Sequence, residues 1–213
     1  MSTLRRPEYL SGNRSVAAVQ VDPDKVHEFV DMDGFYGWLA AHHATEREVW
    51  IKIHKVKSGL ASITPEQAIH AALCWGWIDA IRKSFDEKSF LQRYTPRSAK
   101  SVWSQINIDN VARLTAEGRM TEHGLKQIEA AKADGRWDRA YRVKGSEIPG
   151  DLQAAIDADP EARAMLEKLT AQNRFALIFR LGTIKTVAGR KKKIADMVAM
   201  LKRGETFHPQ KAK

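Results

Sequence analysis

"ALCWGWIDAIRKSFDEKSFLQRYTPR", residues 72–97, changes its period partway along, and that change decides the fold. Its first residues finish an apolar helical run that starts at "TPEQAIH". There Thr64 can cap, Pro65 suits the first helical position, and Gln67 completes a capping box. Gly76 stops the run. From Trp77 the period is two: "WIDAIRKSF" and "KSFLQRY", separated by Asp86-Glu87, predict an antiparallel hairpin closed by Pro96. Strict alternation puts Trp77, Asp79, Ile81, Lys83 and Phe85 on one face and Ile78, Ala80, Arg82 and Ser84 on the other.

Upstream, "EVWIKIHK" alternates Val49, Ile51 and Ile53 with Trp50, Lys52 and His54, which predicts a third strand with one dry face. Before it, Asp33 can cap a helix over 34–45 that carries Phe35, Trp38, Leu39 and His42 on one side. After the hairpin the pattern is helical from Ser101 to about Asp134, with Thr121 able to cap a new helix. "GRWDRAYRVKGSEIPG" has no period, and a domain boundary is placed there. Asp159-Pro160, Thr170 and Thr186 then open three helices, the last two stopped by Gly182 and Gly204. The expected architecture is α+β, a small antiparallel sheet flanked by helices and followed by a C-terminal three-helix segment. Its expected parts are a loosely held N-terminal segment (1–20), an α+β domain (21–145), a helical domain (146–205) and a basic tail (206–213).

A chain of 213 residues, 43% hydrophobic, can bury a real core. The stretch from Ala68 to Ile78 lacks formal charge but is about half the roughly 20 residues a spanning helix needs, so no membrane span is expected. The N-terminal residues show basic side chains without an apolar run, and a cytoplasmic location is expected. One cysteine, Cys74, excludes an intrachain disulfide and a zinc site of several thiolates. The net charge of +9 is uneven: nine Lys and Arg residues from Ile184 onward face Asp196 and Glu205, so +7 lies in the last thirty residues. A second basic excess runs from Arg82 to Trp103, and both point to an anionic partner.

Taken in order, "EVWIKIHK", "ITPEQAIHAALCWGWIDAIRKSFDEKSFLQRYTPR", "SVWSQIN", "GRMTEHGL" and "AAKADGRW", then the helical segment at Asp159-Pro160-Glu161, resemble the YdeI/OmpD-associated family of bacterial proteins, which carries the label bacteriocin-protection. The resemblance runs over roughly residues 30–205. It implies an α+β N-terminal part, a helical C-terminal part and a link to envelope stress or antimicrobial-peptide resistance, and it transfers no catalytic residue.

The residues themselves offer three sites. The leading one is a tryptophan-lined basic cleft for a small anionic ligand, made of Trp50, Lys52, His54, Trp77, Asp79, Lys83, Arg93 and Trp103. Its bland counterpart is a set of core tryptophans with structural ion pairs. The second is weak, sequence-independent nucleic-acid binding through phosphate contacts by Arg190, Lys191, Lys192, Lys193, Lys202 and Arg203, although helical geometry scatters these charges around the helix. The third is a Cys74 and His70 hydrolase, since residues four apart share a helix face; no orienting group or oxyanion donor is evident beside them. No cofactor, metal site or obligate protein partner is expected, because His42 and His43 are adjacent and neither common glycine-rich phosphate loop is present.

Overall fold

The computed structural model describes residues 20–142, 145–184 and 186–210. They form two compact units divided after Pro96. The helices after Ser101 belong to the second unit.

In the first unit, β1 (Val26–His27) is followed by α1 (Met32–His42), β2 (Val49–His54), α2 (Pro65–Cys74), β3 (Trp77–Ser84) and β4 (Ser89–Pro96). The sheet order is β1-β2-β4-β3. The β2–β4 and β3–β4 pairings are antiparallel as expected, while β1 adds a short parallel edge that its two residues could not announce. The α2 start is as read: Thr64 accepts from the Gln67 backbone and Gln67 Oε1 from Thr64, closing the capping box. Helix α1 begins earlier than expected because Asp31, not Asp33, accepts from the Gly34 amide at 2.9 Å. Gly76 takes a positive φ of 72°, the left-handed turn that separates α2 from β3.

Phe35 and Leu39 from α1 and Ala68, Ala71 and Ala72 from α2 pack with Val49, Ile51, Ile53, Trp77 and Tyr94. The dry face of β2 is therefore the helix-bearing face, and Trp50, Lys52 and His54 point to the opposite one. Each such buried aliphatic side chain contributes about 1.5–3 kcal/mol.

The hairpin departs from simple alternation. Asp79 pairs with Tyr94 but Arg82 with Gln92, so Ala80 and Ile81 together oppose Arg93 in a β-bulge. Residues after the bulge change face. Trp77 and Asp79 share the helix-bearing face with Arg82 and Ser84, whereas Lys83 pairs with Leu91 on the other. The expectation that Asp79 and Lys83 share a face is thus corrected. The inserted residue is held by Gln92, whose Nε2 donates to the carbonyls of Ala80 (3.2 Å) and Ile81 (3.4 Å) while its Oε1 accepts from Arg82 Nε (2.8 Å). The loop Phe85–Lys88 is longer than the two residues read as a turn, and Lys55 ties it down by donating Nζ to Glu87 O at 3.0 Å.

The second unit holds α3 (Gln105–Ala116), α4 (Glu122–Ala133), α5 (Gly150–Asp157), α6 (Pro160–Lys168), α7 (Ala171–Gly182) and α8 (Val187–Lys202). Ser104, Thr121, Asp159, Thr170 and Thr186 cap by accepting backbone N–H groups. Helix α5 is additional to the three C-terminal helices expected; it starts after Pro149 with no side-chain cap to signal it. Its Leu152 and Ile156 join Ala162, Leu166, Leu177, Leu181, Met197 and Leu201 in one core. The end of the described chain is pinned to this core. Buried Asn173 donates to His208 O (3.0 Å) and Gln210 Oε1 (2.9 Å) and accepts from His208 N (2.9 Å).

Candidate functional site

The second face of the sheet is assembled by register. Trp50 lies opposite Arg93, Lys52 opposite Leu91 and His54 opposite Ser89; the bulge then sets Lys83 beyond Leu91 on the same face. Five of the eight residues expected in the cleft, Trp50, Lys52, His54, Lys83 and Arg93, therefore share a face. Trp77 and Asp79 belong to the helix-bearing face, where Trp77 is core. Trp103 lies in the second unit, buried beneath the guanidinium of Arg97 at 3.7 Å and beside Trp137 with ring centres 5.0 Å apart.

Two carboxylates absent from the sequence reading shape this face. Glu28, one residue past β1, accepts from Lys52 Nζ through Oε1 and from His54 Nε2 through Oε2, each at 2.9 Å. Because a carboxylate only accepts, His54 Nε2 carries the proton there. Those hydrogen bonds, Lys52 first, hold the Glu28 carboxyl below the ordinary glutamate range despite some burial. Glu48 pairs with Arg93, accepting from its Nε at 2.6 Å. Arg93 is thus engaged in a short charge-assisted pair with Glu48, as Lys52 and His54 are with Glu28.

Exposure grades across the face. Trp50 is fully buried, and its Nε1, like His54 Nδ1, has no hydrogen-bond partner among the described residues. The Lys52 side chain is 22% exposed and that of Glu28 53%, and Phe85 beside them is exposed, so the ion cluster grades from a partly buried lysine to a wet carboxylate. Lys52 Nζ also stands 5.4 Å from the centre of the Phe85 ring. On the other face, burial and the neighbouring charge of Asp79 push the Tyr94 phenol well above its ordinary range.

His70, in the middle of α2, and Cys74, at its end, are both buried, with His70 Nε2 3.8 Å from Glu66 Oε1 on the same helix. A fully buried thiol presents no side to a substrate, which weighs against nucleophilic chemistry there. On α8, the cationic run is largely compensated. Arg190 forms a two-point pair with Asp151 (2.6 and 2.8 Å), Lys192 pairs with Asp196 (3.3 Å), Lys202 with Asp159 (3.2 Å) and Arg203 with Glu205 (2.8 Å). Lys193 stands 5.9 Å from the centre of the Phe207 ring. Arg190 and Lys191 border a depression of about 370 Å³ with Asp151, Val187 and Ile194. Lys185, Lys211 and Lys213 lie outside the described residues. The +7 of this stretch already allows for Asp196 and Glu205; Asp151 and Asp159, which lie outside it, face Arg190 and Lys202 and lower the local balance to +5.

Residues 146–204 match the family described as "Bacteriocin-protection, YdeI or OmpD-Associated", and residues 27–127 match a domain of unknown function (DUF8412). No curated protein and no solved structure gives a match. Among the described residues, no helix is long and apolar enough to cross a membrane.

Proposed function

We propose, for a chain whose residues 146–204 belong to the bacteriocin-protection, YdeI or OmpD-associated family, that it works by holding a small anionic ligand on the second face of its sheet, without catalysing a reaction. The observation that carries this reading is the Lys52 and His54 pair, which already grips both oxygens of one carboxylate at 2.9 Å. Lys83 stands across Leu91 on the same face and adds positive charge, and the exposed Phe85 ring beside Lys52 supplies an apolar wall. A stress or bacteriocin-protection role in the cytoplasm is part of the same proposal, taken from the family description and from a lone buried thiol that suits a reducing compartment. Nucleic-acid binding is the less favoured reading, since helical geometry scatters the α8 cations around the helix and no nucleic-acid reading motif accompanies them.

Thermal-shift screening against a panel of small anions tests the proposal. A ligand at about 100 times its dissociation constant adds about 2.7 kcal/mol of stability. The shift is expected to be lost in Lys52→Ala, reduced in Lys83→Ala and kept in Asp79→Ala, which alters the other face. Hits that persist in Lys52→Ala would put the binding site elsewhere.

A further inference from the structure

We infer that Glu28 is an internal stand-in for the ligand, displaced when the ligand binds, and that the ligand is a small carboxylate bearing an aromatic or aliphatic group. This rests on the binding reading above and adds to it the ligand class and a built-in competitor. Lys52 and His54 are two residues apart on one strand and so project side by side, each donating to a separate oxygen of the same planar group. A carboxylate has two such oxygens in one plane and fits this pair of donors without leaving a third oxygen unpartnered, as a phosphate would.

Displacement is cheap on the Glu28 side. Its side chain is 53% exposed, so the carboxylate can swing into water and recover its hydration, and an exposed ion pair opposes this only slightly. Glu28 nevertheless stays anionic at neutral pH, held so by Lys52 and His54, and competes there for the same donors. The seat also has an apolar neighbour. Phe85, 56% exposed, holds its ring centre 5.4 Å from Lys52 Nζ, within reach of whatever a carboxylate in the place of Glu28 carries. A ligand with both a carboxylate and an apolar group would satisfy the donors and cover the ring, whereas acetate would satisfy only the donors.

The test is to titrate benzoate, acetate and inorganic phosphate into the full chain and into Glu28→Gln, following backbone amide resonances. Benzoate is expected to bind Glu28→Gln about fivefold more tightly than the unaltered chain, the upper end for an exposed ion pair. Benzoate should also exceed acetate, and Phe85→Ala should remove that advantage. Equal benzoate affinity in the unaltered chain and Glu28→Gln, with both lost in Lys52→Met, would overturn the stand-in role while leaving anion binding on the sheet intact. Phosphate binding more tightly than benzoate would overturn the carboxylate class. Absence of saturable benzoate binding to either protein, or binding that survives Lys52→Met, would overturn the sheet site and the inference with it.

Discussion

Gln92→Leu is expected to loosen the β-bulge that sets Lys83 on the same face as Lys52 and His54. Gln92 is 3% exposed, so its amide groups have little access to water. The bond from Arg82 Nε at 2.8 Å is charge-assisted, but Arg82 is exposed, so it is placed at the lower end of the range, about 1.5 kcal/mol. The bond to Ala80 O at 3.2 Å adds about 1 kcal/mol, and the contacts at 3.4 Å are long enough to count as nothing. Leucine returns about 1 kcal/mol by burying hydrocarbon in nearly the same volume, and Arg82 keeps its stacking on the Phe90 ring at 4.3 Å. The net loss is therefore about 1.5 kcal/mol. Urea denaturation followed by tryptophan fluorescence measures it, and amide hydrogen exchange should show lost protection confined to residues 79–84 and their partners on β4. Stability within about 0.5 kcal/mol of the parent, with exchange in the hairpin unchanged, would mean that Gln92 does not hold the bulge.

Asn173→Ala removes three short hydrogen bonds around a residue 1% exposed, so a loss of about 2–3 kcal/mol is expected, together with faster proteolysis of residues 206–210. Glu28 gives a pH signature. Its carboxyl is held below the ordinary value of 4.5, so its contribution to stability is complete above that pH and is lost as pH falls through the lower folded value. Melting temperatures taken from pH 7 to pH 3 should therefore fall less steeply below 4.5 in Glu28→Gln than in the parent. Cys74, fully buried, should resist maleimide at neutral pH until denaturant is added; brisk labelling of the native chain would revive the Cys74 and His70 alternative.

What could be read from the sequence was what local chemistry dictates. The capping box at Thr64, the alternation of β2, the hairpin and the caps at Thr170 and Thr186 each depend on residues within a few positions of one another. The bulge was hidden because Ala80 and Ile81 carry no turn chemistry and their staple, Gln92, is on another strand. Period-two reasoning has no means of noticing one extra residue, and it moved Lys83 to the wrong side of Asp79. Glu28 and Glu48 escaped for a related reason: their partners are 24 to 45 positions away, and the two residues of β1 are too few to show a period. Helix α5 lacked a capping side chain. The basic C-terminal segment was misleading in another way, since counting charges along that stretch does not show that Asp151 and Asp159, from earlier in the chain, compensate Arg190 and Lys202.

The imidazole of His54 is the direct reporter of the proposed anion seat, because its Nε2 donates to the Glu28 carboxylate that a bound anion would replace. Nitrogen-15 spectra of the histidine side chains, recorded with and without saturating benzoate, should show the His54 Nε2 resonance moving in step with the Glu28 carboxyl carbon. The response should vanish in Lys52→Met. A His54 ring and Glu28 carboxyl that stay unchanged while benzoate perturbs amides elsewhere, such as those bordering Arg190 and Lys191, would contradict the placement of the anion site on the sheet.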